Sequence, residues 1–115
     1  MIIKTTEQGL AAEAAVAERL RLLGYHILER NWKTRVCEID IVAKQGGVIC
    51  FVEVKYRRQE AQGDGFEYIT RQKLHKMHFA ADIWRQHYGW DGDYRLMAAA
   101  VSGPGSEDIE LIEIG

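Results

Sequence analysis

The chain has 115 residues, of which 47% are hydrophobic and 28% are charged. This composition excludes an intrinsically disordered chain, and the length predicts a single domain over residues 1–115. The formal net charge of −2 excludes a globally basic nucleic-acid binder, so any site for a polyanion must be a local patch.

Two segments predict helices. The first is "TTEQGLAAEAAVAERLRLLGY", where Thr5 or Thr6 can act as the N-cap and Gly24 is placed to end the helix. The second starts near Thr70, runs through "RQKLHKMHFAADIWRQHY" and ends at Gly89. We therefore expect one helix near the amino terminus and one in the second half of the chain.

Five segments predict strands, three between the helices and two after the second helix. The dipeptide Gly46-Gly47 joins the second and third strands and favours a tight hairpin turn. The order αβββαββ predicts an α/β or α+β domain whose sheet carries a helix on each side. The strands are "YHILERNW", "RVCEIDIVA", "VICFVEVKY", "YRLMAAAV" and "IELIEI".

Charged residues interrupt the two most apolar strands, Glu38 and Asp40 in one and Glu53 and Lys55 in the next. If Gly46-Gly47 is a two-residue turn, Asp40 lies opposite Glu53 and Glu38 lies opposite Lys55. A four-residue turn would shift this pairing but keep all four charges on the same face. The hairpin therefore brings the four side chains together in either case.

Alternation along the strand predicts which side chains accompany Asp40. Residues two apart share a face, so Val42 is expected on the face of Asp40, and Ile39 and Ile41 on the opposite face. Because those other positions are apolar, the strands differ from ordinary surface strands.

Two carboxylates that face each other in a sheet repel, and partial burial increases the repulsion. A divalent cation between Asp40 and Glu53, with a backbone carbonyl and water as further ligands, would stabilise them, and such an oxygen-rich site suits Mg²⁺ or Mn²⁺. Lys55 would then orient or deprotonate an attacking water, or stabilise a pentacovalent phosphate. The alternative is a solvated sheet face with an ordinary Glu38–Lys55 pair.

Glu13 falls within the apolar stripe of the first helix, between Ala17 and Leu20 on a helical wheel. A carboxylate in that position needs a partner. Two interpretations stay open for it, an active-site residue that faces the sheet and a snorkelling residue at the edge of the stripe.

These residues resemble the signature of the PD-(D/E)XK nuclease superfamily, with Asp40, a hairpin, and then Glu-x-Lys in "EVK" from Glu53 to Lys55. A carboxylate on the preceding helix, here Glu13, recurs in several branches, including archaeal Holliday-junction resolvases. Within this group, residues 7 to 101 resemble the bacterial YraN-type family of uncharacterised, endonuclease-like proteins. The motifs that carry this resemblance are "GLAAE", "LGYHILERNW", "EIDIVA", "FVEVKYR" and "ITRQKLHKM".

The resemblance implies a restriction-endonuclease-like core, a central mixed sheet flanked by helices. It implies that Asp40 and Glu53 hold Mg²⁺ or Mn²⁺, that Lys55 is catalytic and that Glu13 assists, while Glu38 is an accessory candidate. The chain departs from the family pattern where it has Ala12 and Cys37 in place of glycines, and Met97 in place of an aspartate. None of these departures removes a predicted metal ligand.

A local basic patch follows the hairpin. Between Lys55 and His78 the chain has six Lys or Arg residues and three acidic residues. The free amides at the start of the second helix can also bind phosphate. The alternative is an ordinary solvated face of an amphipathic helix. The residues predicted to bind nucleic acid are Arg57, Arg58, Arg71, Gln72, Lys73 and Lys76.

The remaining features concern the compartment. No apolar run reaches the ~18 residues of a membrane helix, and "MIIKTTEQ" lacks the apolar core of a signal peptide. Cys37 and Cys50 lack any Cys-x-x-Cys spacing, which favours buried free thiols and a reducing compartment. We expect a cytoplasmic protein without membrane contact or an organic cofactor, and the small net charge permits a homodimer.

Three functions are compatible with these patterns. The first is a metal-dependent nuclease domain that acts on DNA, with branched or single-stranded DNA as candidate substrates. The second is a nuclease-fold module that binds nucleic acid without cutting it. The third is a protein–protein adaptor that uses exposed Trp and Met side chains.

Overall fold

Two helices and five strands form the described part of the chain, residues 6–57 and 66–115 of a computed structural model. Their order is the predicted αβββαββ, and the α+β class is confirmed. The elements are α1 (Glu7–Leu22), β1 (His26–Lys33), β2 (Glu38–Gln45), β3 (Val48–Arg57), α2 (Arg71–Tyr88), β4 (Asp93–Ser102) and β5 (Asp108–Ile114).

The strands form one mixed sheet in the order β1-β2-β3-β4-β5. Strands β3 and β4 are parallel, and the other neighbours are antiparallel. A parallel pair needs a long crossover connection, and α2 lies within the connection from β3 to β4. The predicted central mixed sheet is therefore confirmed.

Helix α1 covers one face of the sheet. Thr6 is its N-cap, and the hydroxyl of Thr6 accepts a hydrogen bond from the backbone N–H of Gly9 at 3.0 Å. After the helix, Gly24 has a φ of +97°, a left-handed conformation that favours glycine. The buried stripe of α1 packs against Ile41, Val52 and other inward residues, and it consists of Ala12, Val16, Ala17 and Leu20.

Helix α2 covers the opposite face. The Thr70 hydroxyl accepts a hydrogen bond from the backbone N–H of Lys73, and Gly89 ends the helix with a φ of +68°. The prediction of a helix on each side of the sheet is confirmed. In the described part of the chain neither helix is long and apolar enough to cross a membrane. The stripe that faces the sheet consists of Met77, Ala80, Ala81 and Trp84.

The hairpin between β2 and β3 has the predicted two-residue turn. Gln45 pairs with Val48, so Gly46 and Gly47 form the turn, and Gly46 has a φ of +61°. The pairing continues in the predicted register as far as Ile41 and Val52.

Strict alternation fails in β2. Ile39 packs with Val42 on the α2 side of the sheet, whereas Ile41 packs on the α1 side, so the prediction that Ile39 and Ile41 share a face is wrong. On the neighbouring strand, Asn31 lies between the partners of Ile41 and Ile39 and has a φ of +54°. A left-handed residue interrupts the pleat, and the faces exchange at the position of Asp40.

Both cysteines are free thiols, but only one is buried as predicted. Cys50 lies in the core on the α1 side, and burial raises the pKa of its thiol. Cys37 is half-buried, and its sulfur lies 3.4 Å from the hydroxyl of Thr34. The expectation that both thiols are buried is therefore wrong for Cys37.

Candidate metal and nucleic-acid site

Asp40 lies where the pairing of β2 with β3 ends. Its Oδ2 atom accepts a hydrogen bond of 2.7 Å from the backbone N–H of Val54, and only 2% of the residue is exposed. The last residue pair between β2 and β3 is Ile41 with Val52, one position before Asp40. The carboxylate thus takes the place of a backbone acceptor, and it lies between the two strands rather than in the apolar layer of either face.

Glu53 forms an ion pair with the first turn of α2. Its Oε2 atom lies 2.9 Å from Nζ of Lys73, and the side chains are 17% and 34% exposed, respectively. The pair is therefore partly shielded from water, and its charges are less screened than those of a surface pair. In the predicted register Glu53 would lie opposite Asp40, one step beyond the last recorded pair.

Tyr68 lies near both carboxylates, although no motif in the sequence predicts it as a site residue. Burial raises the pKa of its phenol, and the negative charges of Glu53 and Asp40 raise it further. Its hydroxyl is buried and has no hydrogen-bond partner among residues 6–57 and 66–115. The only signal in the sequence is an aromatic residue in the short segment directly before the N-cap of α2.

Lys55 completes this cluster from the end of β3. Its Nζ atom lies 6.0 Å from the centre of the Tyr68 ring, within range of a cation–π contact, while the side chain itself is exposed. A cavity of about 210 Å³ lies between β3 and the start of α1, and its lining includes Lys55 but neither Asp40 nor Glu53. Because the Lys55 side chain is exposed, its ammonium group is accessible from solvent.

The donor set fits a hard divalent cation with open positions. Mg²⁺ and Mn²⁺ are commonly held by one or two carboxylates, with water and substrate oxygens as further ligands. Asp40 and Glu53 provide two such carboxylates, and the ammonium of Lys73 already holds a cationic position beside Glu53. Within the described ranges, no group of three or more His, Cys, Asp or Glu side chains is arranged to hold a metal. A closed site made of protein ligands alone is therefore not built from these residues.

Glu13 is fully buried, so the interpretation as a snorkelling residue is wrong. Its Oε1 atom lies 3.6 Å from Nε of Arg30 on β1. Arg30 is therefore a charged partner of the kind that a carboxylate in the apolar stripe needs. Glu13 belongs to α1 and thus to the layer on the other side of the sheet from Lys73. Its assisting role stays a prediction.

The other predicted residues lie at different depths. Glu38 is half-buried, and its register partner on β1 is Lys33. The pairing of β2 with β3 ends before Glu38, and its neighbours Cys37 and Ile39 both pack on the α2 side, so the prediction that Glu38 shares a face with Lys55 is wrong. Arg57 is half-buried at the end of β3, and Arg58 lies outside the described residues. Three residues predicted to bind nucleic acid are exposed on the first turns of α2, namely Arg71, Gln72 and Lys76.

Comparisons with known proteins agree on one family. Residues 12–102 match the family described as "Uncharacterised protein family UPF0102". A UPF0102 protein of Cytophaga hutchinsonii is 33% identical over 84% of this chain and 86% of its own. A UPF0102 protein of Vibrio campbellii is 36% identical over 88% and 84%, and one of Stutzerimonas stutzeri is 35% identical over 95% and 93%, respectively.

Proposed function

The chain belongs to the uncharacterised protein family UPF0102, and from its central hairpin we propose that it is a metal-dependent nuclease domain that hydrolyses phosphodiester bonds in DNA. This family is the YraN-type family that the sequence motifs resemble. The family description names no activity, so the proposal rests on the residues of the site.

One observation carries the proposal, the convergence of Asp40, Glu53 and Lys55 on Tyr68. Two carboxylates act on the phenol of Tyr68, and the ammonium of Lys55 approaches the ring of the same residue. Two carboxylates and a lysine that share one partly buried place form the kind of constellation that an active site requires.

Each residue has a distinct role in the proposed reaction. Asp40 and Glu53 would hold the divalent cation, which supplies positive charge for the phosphodiester oxygens and the attacking water. Lys55 carries a positive charge and three N–H donors, and it is exposed, so it can orient the water or stabilise charge that develops on the phosphate. Arg57 and the cations at the start of α2 would bind the DNA backbone, which carries one negative charge per phosphate.

Calorimetric titration with Mn²⁺ tests the metal site. We expect Asp40→Asn and Glu53→Gln each to weaken binding by more than about tenfold, because each removes one charged ligand. Asn keeps the oxygen that accepts from Val54, so the fold survives the first substitution. Glu18→Gln on α1 is the matched control, since Glu18 is exposed and lies on the helix that covers the other face of the sheet. Equal binding by all four proteins would contradict the metal site.

Cleavage of labelled branched and single-stranded oligonucleotides in Mn²⁺ then tests the reaction. We expect Lys55→Met to slow cleavage by about a hundredfold or more while Mn²⁺ binding persists, because Lys55 acts on the phosphate or the water and is not a ligand. Failure of the wild type to cleave any of these substrates would overturn the nuclease proposal.

A second candidate is a module that binds nucleic acid without cutting it. The Lys73–Glu53 ion pair favours it, because Glu53 already has a cationic partner in the protein itself. This candidate predicts oligonucleotide binding that is unchanged by a chelator and by Asp40→Asn. A loss of binding in the chelator would exclude it.

A further inference from the structure

The first turn of α2 breaks a local rule of helix stability. It contains Arg71 and Lys73 and no acidic residue, although the amino terminus of a helix disfavours positive charge. The backbone N–H of Lys73 donates to the Thr70 hydroxyl at 3.1 Å, so the side chain of Lys73 extends from a fixed point. A lysine held in an unfavourable position requires compensation from elsewhere in the fold.

Glu53 provides that compensation from the sheet. Its carboxylate lies 2.9 Å from the ammonium of Lys73 and is the more buried partner of the pair. Without a cation beside it, a charged carboxylate at this depth would destabilise the folded state, because it has lost part of its hydration. Lys73 is about one-third exposed, so its flexible side chain can leave for solvent without unfolding the helix.

We propose that Lys73 is a displaceable counter-cation. It pairs with Glu53 in the metal-free protein, leaves when a divalent cation binds Glu53, and then binds a phosphate group of the nucleic acid. This inference rests on the proposed metal site and adds a coupling between the two ligands. One ammonium group cannot serve both Glu53 and a phosphate, so metal and polyanion bind cooperatively, and each raises the affinity of the other by the same factor.

Mn²⁺ titration of Lys73→Met tests the first step. Because the competing cation is gone, we expect Lys73→Met to bind Mn²⁺ about fivefold more tightly than the wild type. Lys76→Met is the matched control, since it removes the same charge from an exposed position on the same helix. It should change the affinity by less than about twofold. Lys73→Gln, which can still donate a hydrogen bond to Glu53, should raise the affinity as well and covers the case in which Lys73→Met fails to fold.

The second step is tested by oligonucleotide binding in a Lys55→Met background, which prevents cleavage. Fluorescence anisotropy with a labelled single-stranded oligonucleotide gives the affinity with and without Mn²⁺. We expect Mn²⁺ to strengthen binding by a larger factor when Lys73 is present than after Lys73→Met, and by an unreduced factor after Lys76→Met.

The outcomes separate this inference from the proposed function. If the wild type, Lys73→Met and Lys73→Gln all fail to bind Mn²⁺, both the metal site and the counter-cation are overturned. If the wild type binds Mn²⁺ and neither Lys73 variant binds it more tightly than Lys76→Met does, the counter-cation alone is overturned. Tighter binding by the Lys73 variants, with a smaller Mn²⁺ effect on the oligonucleotide, supports both steps.

Discussion

Asp40 shows how one carboxyl group can serve both the fold and a reaction. One of its oxygens replaces a backbone acceptor for Val54 and so closes the gap between two strands. The hydrogen bond also fixes the orientation of the whole carboxyl group. A site built in this way is held by the sheet itself.

Tyr68→Phe probes the environment of the carboxylates. Removal of a buried hydroxyl that has no hydrogen-bond partner in the described residues should raise the free energy of unfolding at pH 7 by about 1 kcal/mol. Tyr88→Phe is the control, because the exposed Tyr88 hydroxyl donates to Glu29 and its loss should not stabilise the protein. Urea unfolding of the three proteins measures both effects.

Tyr68→Phe should also change how the stability of the protein depends on pH. The pKa of Tyr68 is raised in the fold, chiefly by burial, so the folded state keeps a proton that the unfolded state loses above its ordinary pKa of about 10. The contribution of Tyr68 to stability is therefore complete below that pH and decreases as the pH rises above it. Tyr68→Phe should lose less stability than the wild type between pH 9 and about pH 11. An identical loss in both proteins would contradict the buried phenol.

The residues of the site differ in how far the sequence predicts them. Period-two alternation in a regular strand predicts that Glu53 and Lys55 share a face, and the structure places both on the α2 side of the sheet. Tyr68 could not be predicted, because its position depends on how the segment before α2 docks against the sheet. The partner of Glu13 could not be predicted either, since Arg30 meets it only when β1 packs beneath α1.

The ends of helices and strands could be predicted better than the site residues, because they depend on local chemistry. The caps Thr6 and Thr70 and the Gly46-Gly47 turn act within a few residues of themselves, so their effects are readable from the chain. The exchange of faces at Ile39 was not readable, because it arises from an irregularity shared by two strands. Pleat alternation assumes a regular strand, and Asn31 with its positive φ breaks that assumption on the neighbouring strand.

The hairpin turn offers a matched pair of substitutions. A methyl group added to Gly46 or Gly47 would meet no atom within 4 Å, yet only Gly46 has a left-handed φ. Gly46→Ala should therefore lower the free energy of unfolding by about 1 kcal/mol, whereas Gly47→Ala should change it by less than about 0.5 kcal/mol. Thermal unfolding of the two variants measures the cost of placing alanine in a left-handed backbone conformation. An equal loss of unfolding free energy in both variants would contradict this turn geometry.

For the whole molecule, the net charge of −2 makes any affinity for nucleic acid a local effect. If about four cations near the site contact phosphates, the dissociation constant for DNA should rise about a hundredfold between 50 and 200 mM salt. Arg71→Gln should lower the slope of the logarithmic salt plot by about one unit. Arg21→Gln, on the helix that covers the other face, should leave the slope unchanged.

The separation of paired residues along the chain sets the order in which the molecule assembles. The recorded pairs of the hairpin join residues at most 11 positions apart, from Gln45 with Val48 to Ile41 with Val52, while the parallel pair Val48 with Asp93 spans 45 positions. Short loops close fastest and cost the least entropy, so we expect the hairpin to form early and β4 to dock late, together with α2. The acidic half of the site is thus assembled while its lysine partner on α2 is still undocked, and Asp40 and Glu53 pass through an early stage of folding side by side in water.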